Sequence, residues 1–414
     1  MTFPTGRDRR WLITAVLLAA CARPLAPPSS PLSAAPPAAA ARAGAPAASD
    51  FRHPGILTNR AQLEFVRARI KAGEQPWSGA YAKAMATYGS LSWTPRPRAT
   101  VDCGAYSRPN NGCSDERNDA VAAYTHALAW FISGDVAHAH KAIAIMNAWA
   151  AVLRGHSNHN APLQTGWAGS IWPLAAEIIR HTSTAWSAPD VAAFSRMLGD
   201  VYLDPIATGS IGTNGNWELV MAEAAAAIAI FLDDRPAFDR ALALWRRRLP
   251  AYFYLASDGP APVPPPGPRL GPSQLTAFWH GQTELVDGLS QETCRDFGHT
   301  SYGLASALAI AELAYQQGVD LYQEEAPRLH AAMEFHAAYL LGQDVPPWLC
   351  GGRIDARVLP TWEIGYNHFH GRLGLELPRS RQLIESKIRA RGGVDHHIVW
   401  ETLTHAKVGA IGLR

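Results

Sequence analysis

The sequence predicts an all-α protein: an α/α toroid (an incomplete α/α barrel) of about a dozen helices, with an irregular helical bundle as the second architecture. Three observations carry this. Ala- and Leu-rich segments with helical spacing recur, for example at 115–133, 136–153, 163–181, 217–232 and 299–317. Pro, Gly and Asn punctuate them, as in TGSIGTNGN at 208–216. No alternating strand pattern and no convincing internal repeat competes with that rhythm.

In chain order, residues 1–21 form an export signal. Arg7, Arg9 and Arg10 precede a short apolar core from Trp11 to Ala20, too short to span a bilayer. Leu18-Ala19-Ala20-Cys21 resembles a bacterial lipobox, with cleavage before Cys21 and lipid on its sulfur. The other reading is an ordinary cleavage site, and Arg9-Arg10 before an apolar run also allows twin-arginine export. Residues 22–49 are Ala, Pro and Ser almost without charge, a disordered tether that holds a domain off a membrane surface. Residues 50–414, about 365 of them, suit one large helical domain or two smaller ones, and the single domain is the reading adopted. Within it, the Pro-rich 258–272 reads as a long irregular loop, a lid or a passive insertion.

Lys and Arg number 37 against 35 Asp and Glu, a net charge of +2, which argues against nucleic acid as a main partner. No Gly-rich phosphate loop or dinucleotide fingerprint is present. Cys103 and Cys113 bracket a Pro-Asn-Asn-Gly turn and suit a short-loop disulfide; Cys294 and Cys350 are the second candidate pair. Cys/His spacing for a zinc site is lacking, and neither a metal nor a cofactor is expected. The His396-His397 pair and His405 read as structural or exposed.

The organising stretch is 291–322. Leu304, Leu308, Ala311 and Tyr315 recur at helical steps as one buried stripe. Arg295, His299 and Tyr302 fall in an arc of about 60° roughly opposite, and Gln291 joins it. Three further polar clusters stand out. Asn214, Asn216, Trp217 and Glu218 open a helix, either as caps or as a sugar site with an indole over a ring face. Trp362 to Arg372 concentrates Glu363, Tyr366, Asn367, His368, His370 and Arg372. The segment HSNHNAPLQTGW at 156–167 is the third.

Glycoside hydrolysis takes two facing carboxyl groups, and Asp296, Glu292, Glu218 and Glu363 are the candidates. Elimination across a uronic-acid linkage needs different parts. Asn, Gln or Arg must stabilise the sugar carboxylate as the C5 proton leaves, and Tyr or His must supply the base and the acid. These clusters fit elimination better.

The segments GTNGNWE, QETCRDFGHTSYGL and WEIGYNHFHGRLGLELP, with CGxxSxPNxGC near the start, resemble the alginate-lyase superfamily of polysaccharide lyases. Polysaccharide lyase family 38, alginate and glucuronan lyases, is the nearest likeness. The resemblance implies an α/α toroid, no obligatory metal and β-elimination on an anionic polyuronate. A more distant likeness to family 5 lies in the seven-residue step from Arg295 to Tyr302, and implies Asn216 as the carboxylate binder. Trp217 stands where that family has a His, so His299, His280 or His368 must supply the base. The assignment is therefore Tyr302 as acid and also a candidate base, His299 as the second acid/base group, Asn216 on the carboxylate, and Arg295 orienting charge. Asn214, Trp217, Gln291, Tyr366, Asn367, His368 and Arg372 line sugar subsites. A helical glycoside hydrolase and a non-catalytic carbohydrate-binding lipoprotein are the alternatives.

Overall fold

The computed structural model describes residues 51–411 apart from Pro268. The export signal, the lipobox Cys21 and the tether lie outside the described residues. Contacts set Ala48–Arg414 apart as one compact unit.

The predicted helical segments form within a few residues of their expected ends: Cys113–Ser133, Val136–Val152, Ala161–Thr182, Gly215–Leu232 and Phe297–Gln316. Successive helices pack side by side, Cys113–Ser133 on Val136–Val152 and on Ala161–Thr182, and Ala161–Thr182 on Gly215–Leu232. Gly215–Leu232 then touches both Arg235–Arg248 and Phe297–Gln316. Small residues permit the approach: a Cβ on Gly166 would stand 2.9 Å from Val220 Cγ1. Gly215–Leu232 is apolar and long enough to cross a membrane, but 89% of it is buried in this interior, as a core helix is. Side chains cap the helix starts: Asp135 accepts from Ala137 N–H, Ser187 from Asp190 N–H and Asp234 from Ala237 N–H.

The Phe297–Gln316 helix departs from its expected amphipathic form. It is buried on nearly every side, including Thr300, Ser301, Gly303 and Ser306. Gly303 is required where it lies, because a Cβ there would meet the Tyr252 ring and hydroxyl at 2.3 Å. Arg295 precedes the helix, whose N-cap is Asp296, accepting from His299 N–H at 2.8 Å.

Short strands are present that the sequence reading did not contain. Thr100–Cys103 pairs antiparallel with Asn110–Asn111 (Asp102 opposite Asn111) and parallel with Gly155–Ser157 (Val101 opposite His156). Val394–Asp395 and Ile398–Val399 form a hairpin turned by His396 and His397, with His396 at φ 49°. That turn usually carries Asn or Gly, so His-His hides it. Disulfides join Cys103 to Cys113 and Cys294 to Cys350. The loop after Asp258 is anchored at its start by Arg328, whose two terminal nitrogens reach the Asp258 carboxylate at 2.7 and 2.9 Å.

Two carboxyls are buried near the hairpin, and among the described residues no Lys or Arg pairs with either; Glu223 lies 3.7 Å from His397 Nε2. Burial pushes Glu223 up to about 8, with Glu401 nearby adding to it. Glu401 is likewise raised to about 8 by burial, with Glu363 nearby. Both bind protons in the fold that the unfolded chain releases near the ordinary carboxylate range. Stability therefore falls as pH climbs from that range and levels off above about 8. Glu401→Gln should flatten this slope, read as melting temperature from pH 5 to 9; an unaltered slope would show that Glu401 does not carry the proton.

Candidate active site

The 394–399 hairpin lies against the start of the Phe297–Gln316 helix and meets it at two side chains one turn apart. Tyr302 donates its hydroxyl hydrogen to Asp395 Oδ1 at 2.6 Å. Ser306 Oγ is 3.0 Å from His397 Nε2. His396 Nδ1 stands 2.8 Å from the Tyr302 hydroxyl and 2.6 Å from the same Asp395 oxygen, while Arg357 holds Oδ2 at 2.5 Å.

The electrostatics of this cluster have a direction. Burial raises the Asp395 carboxyl, but hydrogen bonds from His396 and Tyr302 and the Arg357 charge outweigh it and hold it at about 2. Burial, then the Asp395 charge and hydrogen bond, push Tyr302 well above the ordinary phenol range. His396 is lowered by burial despite its bond to Asp395. Tyr302 is thus held protonated beside an ionised carboxylate. The sequence reading gave Arg295 the task of orienting charge beside Tyr302; the structure puts Asp395 against the hydroxyl, which holds it protonated.

One turn before Tyr302, His299 Nδ1 is 2.5 Å from Asp296 Oδ2. With Nδ1 engaged, Nε2 is the nitrogen left for a substrate proton. The hydrogen bonds and charges of His299 and Arg295 overcome burial and depress Asp296. Arg295 is anchored by Glu292 at 2.8 Å.

These groups share one open cleft of about 360 Å³. Arg295, His299, Tyr302, Arg357 and His396 line one part, and Trp167, Trp217, His159 and Asn160 another. The Trp167 and His396 rings lie 4.3 Å apart, and those of His159 and Trp217 5.7 Å. Behind the wall, the Arg117 guanidinium sits 5.3 Å over the Trp167 ring. None of the lining residues is Asp or Glu.

The predicted site residues divide. Tyr302, His299, Arg295 and Trp217 meet in the cleft. Asn216 does not: it is buried, and its Nδ2 donates to Glu292 at 2.6 Å, because a buried carboxylate draws in every donor within reach. Gln291 is also buried, donating to Asn214 Oδ1 and to the Phe278 carbonyl, so Gln291 and Asn214 shape the loop under Trp217. The 366–372 cluster lies elsewhere. Arg372 forks onto Glu312 at 2.7 and 2.8 Å, about 15 Å along the helix from Tyr302. His368 stacks on the Tyr322 ring at 3.7 Å, Asn367 accepts from Gly409 N–H, and Tyr366 stacks on His370. None of them lines the cleft. His280 is outside it too, in a separate hollow beside Cys294 and Cys350.

Asp395, His396 and Arg357 were missed as site residues. His396 was read as structural or exposed; it lines the cleft instead, its ring between those of Tyr302 and Trp167. His159 and Trp167 belong to a segment that did stand out. His405, in contrast, is structural, buried with Nε2 3.1 Å from the Leu57 carbonyl.

The alginate lyase family model matches residues 71–262. The family likeness is to the alginate lyases. That match supports a polysaccharide lyase. Alginate lyase A1-III from Sphingomonas species A1 has the same fold, with TM-score 0.55 at 13% identity over 86% of this chain and 98% of that one. An alginate lyase from Bacteroides ovatus gives TM-score 0.55 at 13% identity, covering 86% of this chain and all of its own. A variant of A1-III complexed with a tetrasaccharide gives 0.53 at 14% identity, over 78% and 92%. No curated protein sequence matches the chain. The matched stretch ends before Arg295, so the roles of Arg295, His299 and Tyr302 rest on their geometry here.

Removing the Arg372 guanidinium would leave Glu312 buried and unpaired. Arg372→Ala should cost about 3–5 kcal/mol of stability. Turnover of the folded fraction should stay near wild type, and a selective loss of turnover with an unchanged melting temperature would return Arg372 to the sugar site.

Proposed function

We propose that this protein is a polysaccharide lyase that cleaves a uronic-acid polymer, of the alginate, polymannuronate or glucuronan kind, by β-elimination. The observation that carries this is the lining of the cleft: two arginines, three histidines, two tyrosines and two tryptophans, with no carboxylate among them. Such a wall attracts a polyanion and offers indole faces to sugar rings. It lacks the facing carboxyl pair of a glycoside hydrolase. Glu218, Glu292 and Glu363, which could have formed one, are buried against Arg248, Arg295 and Arg389. Asp296 is committed to His299.

In this reading Arg295 and Arg357 neutralise the uronate carboxylate, which makes the C5 proton acidic and stabilises the charge that develops as it leaves. His299 Nε2 takes that proton, with Asp296 steadying the imidazolium that results. The C5–H electron pair becomes the C4–C5 double bond, the C4–O bond breaks, and the Tyr302 hydroxyl gives its proton to the departing oxygen. A tyrosine kept protonated by Asp395 suits the acid, and leaves His299 as the base. All the steps use side chains of this chain.

The test is Tyr302→Phe, which keeps the ring and its packing. Turnover, followed as ultraviolet absorbance of unsaturated uronate ends on several polyuronates, should fall about 10²–10⁴-fold. The melting temperature should move little, since one hydrogen bond is worth about 1 kcal/mol. Unchanged turnover would remove Tyr302 from the reaction, and cleavage without new double bonds would make the protein a hydrolase.

A further inference from the structure

Away from the cleft, two helix C-termini converge on the segment that opens the described chain. Glu177 and His181 lie one turn apart near the end of Ala161–Thr182, and Asp233 is the left-handed C-cap of Gly215–Leu232. His53 reaches into the space between them. Its Nδ1 is 2.5 Å from Glu177 Oε1 and its Nε2 is 3.0 Å from Asp233 Oδ1. The His53 and His181 rings lie nearly parallel, 4.5 Å apart.

Three features favour a cation here. The ligand atoms of His53, Glu177 and His181 all lie within 4.8 Å of one another. Glu177 is 1% exposed, and its Oε2 and the His181 Nε2 are both buried without a hydrogen-bond partner. They face each other at 3.7 Å. That is too long for a hydrogen bond, and close to the roughly 3.4 Å between two ligands of a tetrahedral ion with bonds of about 2.0–2.1 Å. Both helix ends add the negative pole of their dipoles, and among the described residues the Arg180 guanidinium lies 3.9 Å from Asp233.

We propose that His53, Glu177 and His181, with Asp233 beside them, form a binding site for one divalent transition-metal ion of the zinc class. Two imidazoles and a carboxylate are the donor set such ions prefer over calcium or magnesium. The ion would pin the segment around His53 to both helices. None of these residues lines the cleft, so the site is structural and separate from the chemistry there.

The test uses untagged full-length protein, stripped with chelator and titrated with zinc chloride by calorimetry, with melting curves alongside. One zinc per chain should bind at micromolar or tighter Kd, and saturation should raise the melting temperature by about 3–5 °C. His181→Ala should weaken binding at least tenfold and abolish the thermal shift, whereas exchange of the exposed His140 for Ala should change neither. Turnover on polyuronates should be the same with and without zinc. No binding at 100-fold excess over protein, or equal binding by His181→Ala, would overturn the site and leave a proton-sharing network.

Discussion

The structure of the cleft depends on one contact, the Tyr302 hydroxyl on the Asp395 carboxylate. It joins a core helix to a two-strand hairpin from nearly a hundred residues later, and it places the phenol in a fixed direction. Asp395 can be half-buried and ionised because Arg357 and His396 share its charge. The same pairing keeps the phenol protonated. Position and protonation state thus come from a single hydrogen bond, with Ser306 and His397 holding the hairpin one turn further on.

Around that contact the interior uses buried carboxylates as struts. Glu218 takes Arg248, Glu312 takes Arg372, and Glu292 collects Tyr252, Asn216 and Arg295. Removing one partner from such a set strands a charge, so these residues look functional in a sequence and are structural in the fold. Glu292 is the exception that serves both ends. It lies out of reach of a substrate, yet through its bond it aims Arg295 into the cleft.

Much of the fold was legible because helical periodicity is local: the long helices end within a few residues of where the Ala and Leu spacing and their breakers put them. The site was legible in part. Arg295, His299 and Tyr302 lie within eight residues, a helix start and the turn before it, so local sequence brings them together. Asp395 and His396 reach Tyr302 only through tertiary contacts, from a hairpin whose His-His turn carries none of the usual signals, and Arg357 arrives from a separate loop. The opposite error came from density. The run from Trp362 to Arg372 is crowded with aromatic and polar groups because a buried arginine, a stacked imidazole and the Gly409 backbone amide must all be satisfied there. Composition does not distinguish a buried network from a binding surface; burial does.

The account's central claim is that a uronate chain lies across Tyr302 and His299 with its carboxylate on the arginines. The most direct measurement is a crystal structure of Tyr302→Phe soaked with a uronate tetrasaccharide. The account predicts the linkage oxygen within hydrogen-bond distance of where the Tyr302 hydroxyl stands, the C5 hydrogen facing His299 Nε2, and a carboxylate against Arg295 or Arg357. A saccharide seated instead over Tyr366 to Arg372, or one whose linkage lies away from both Tyr302 and His299, would contradict it.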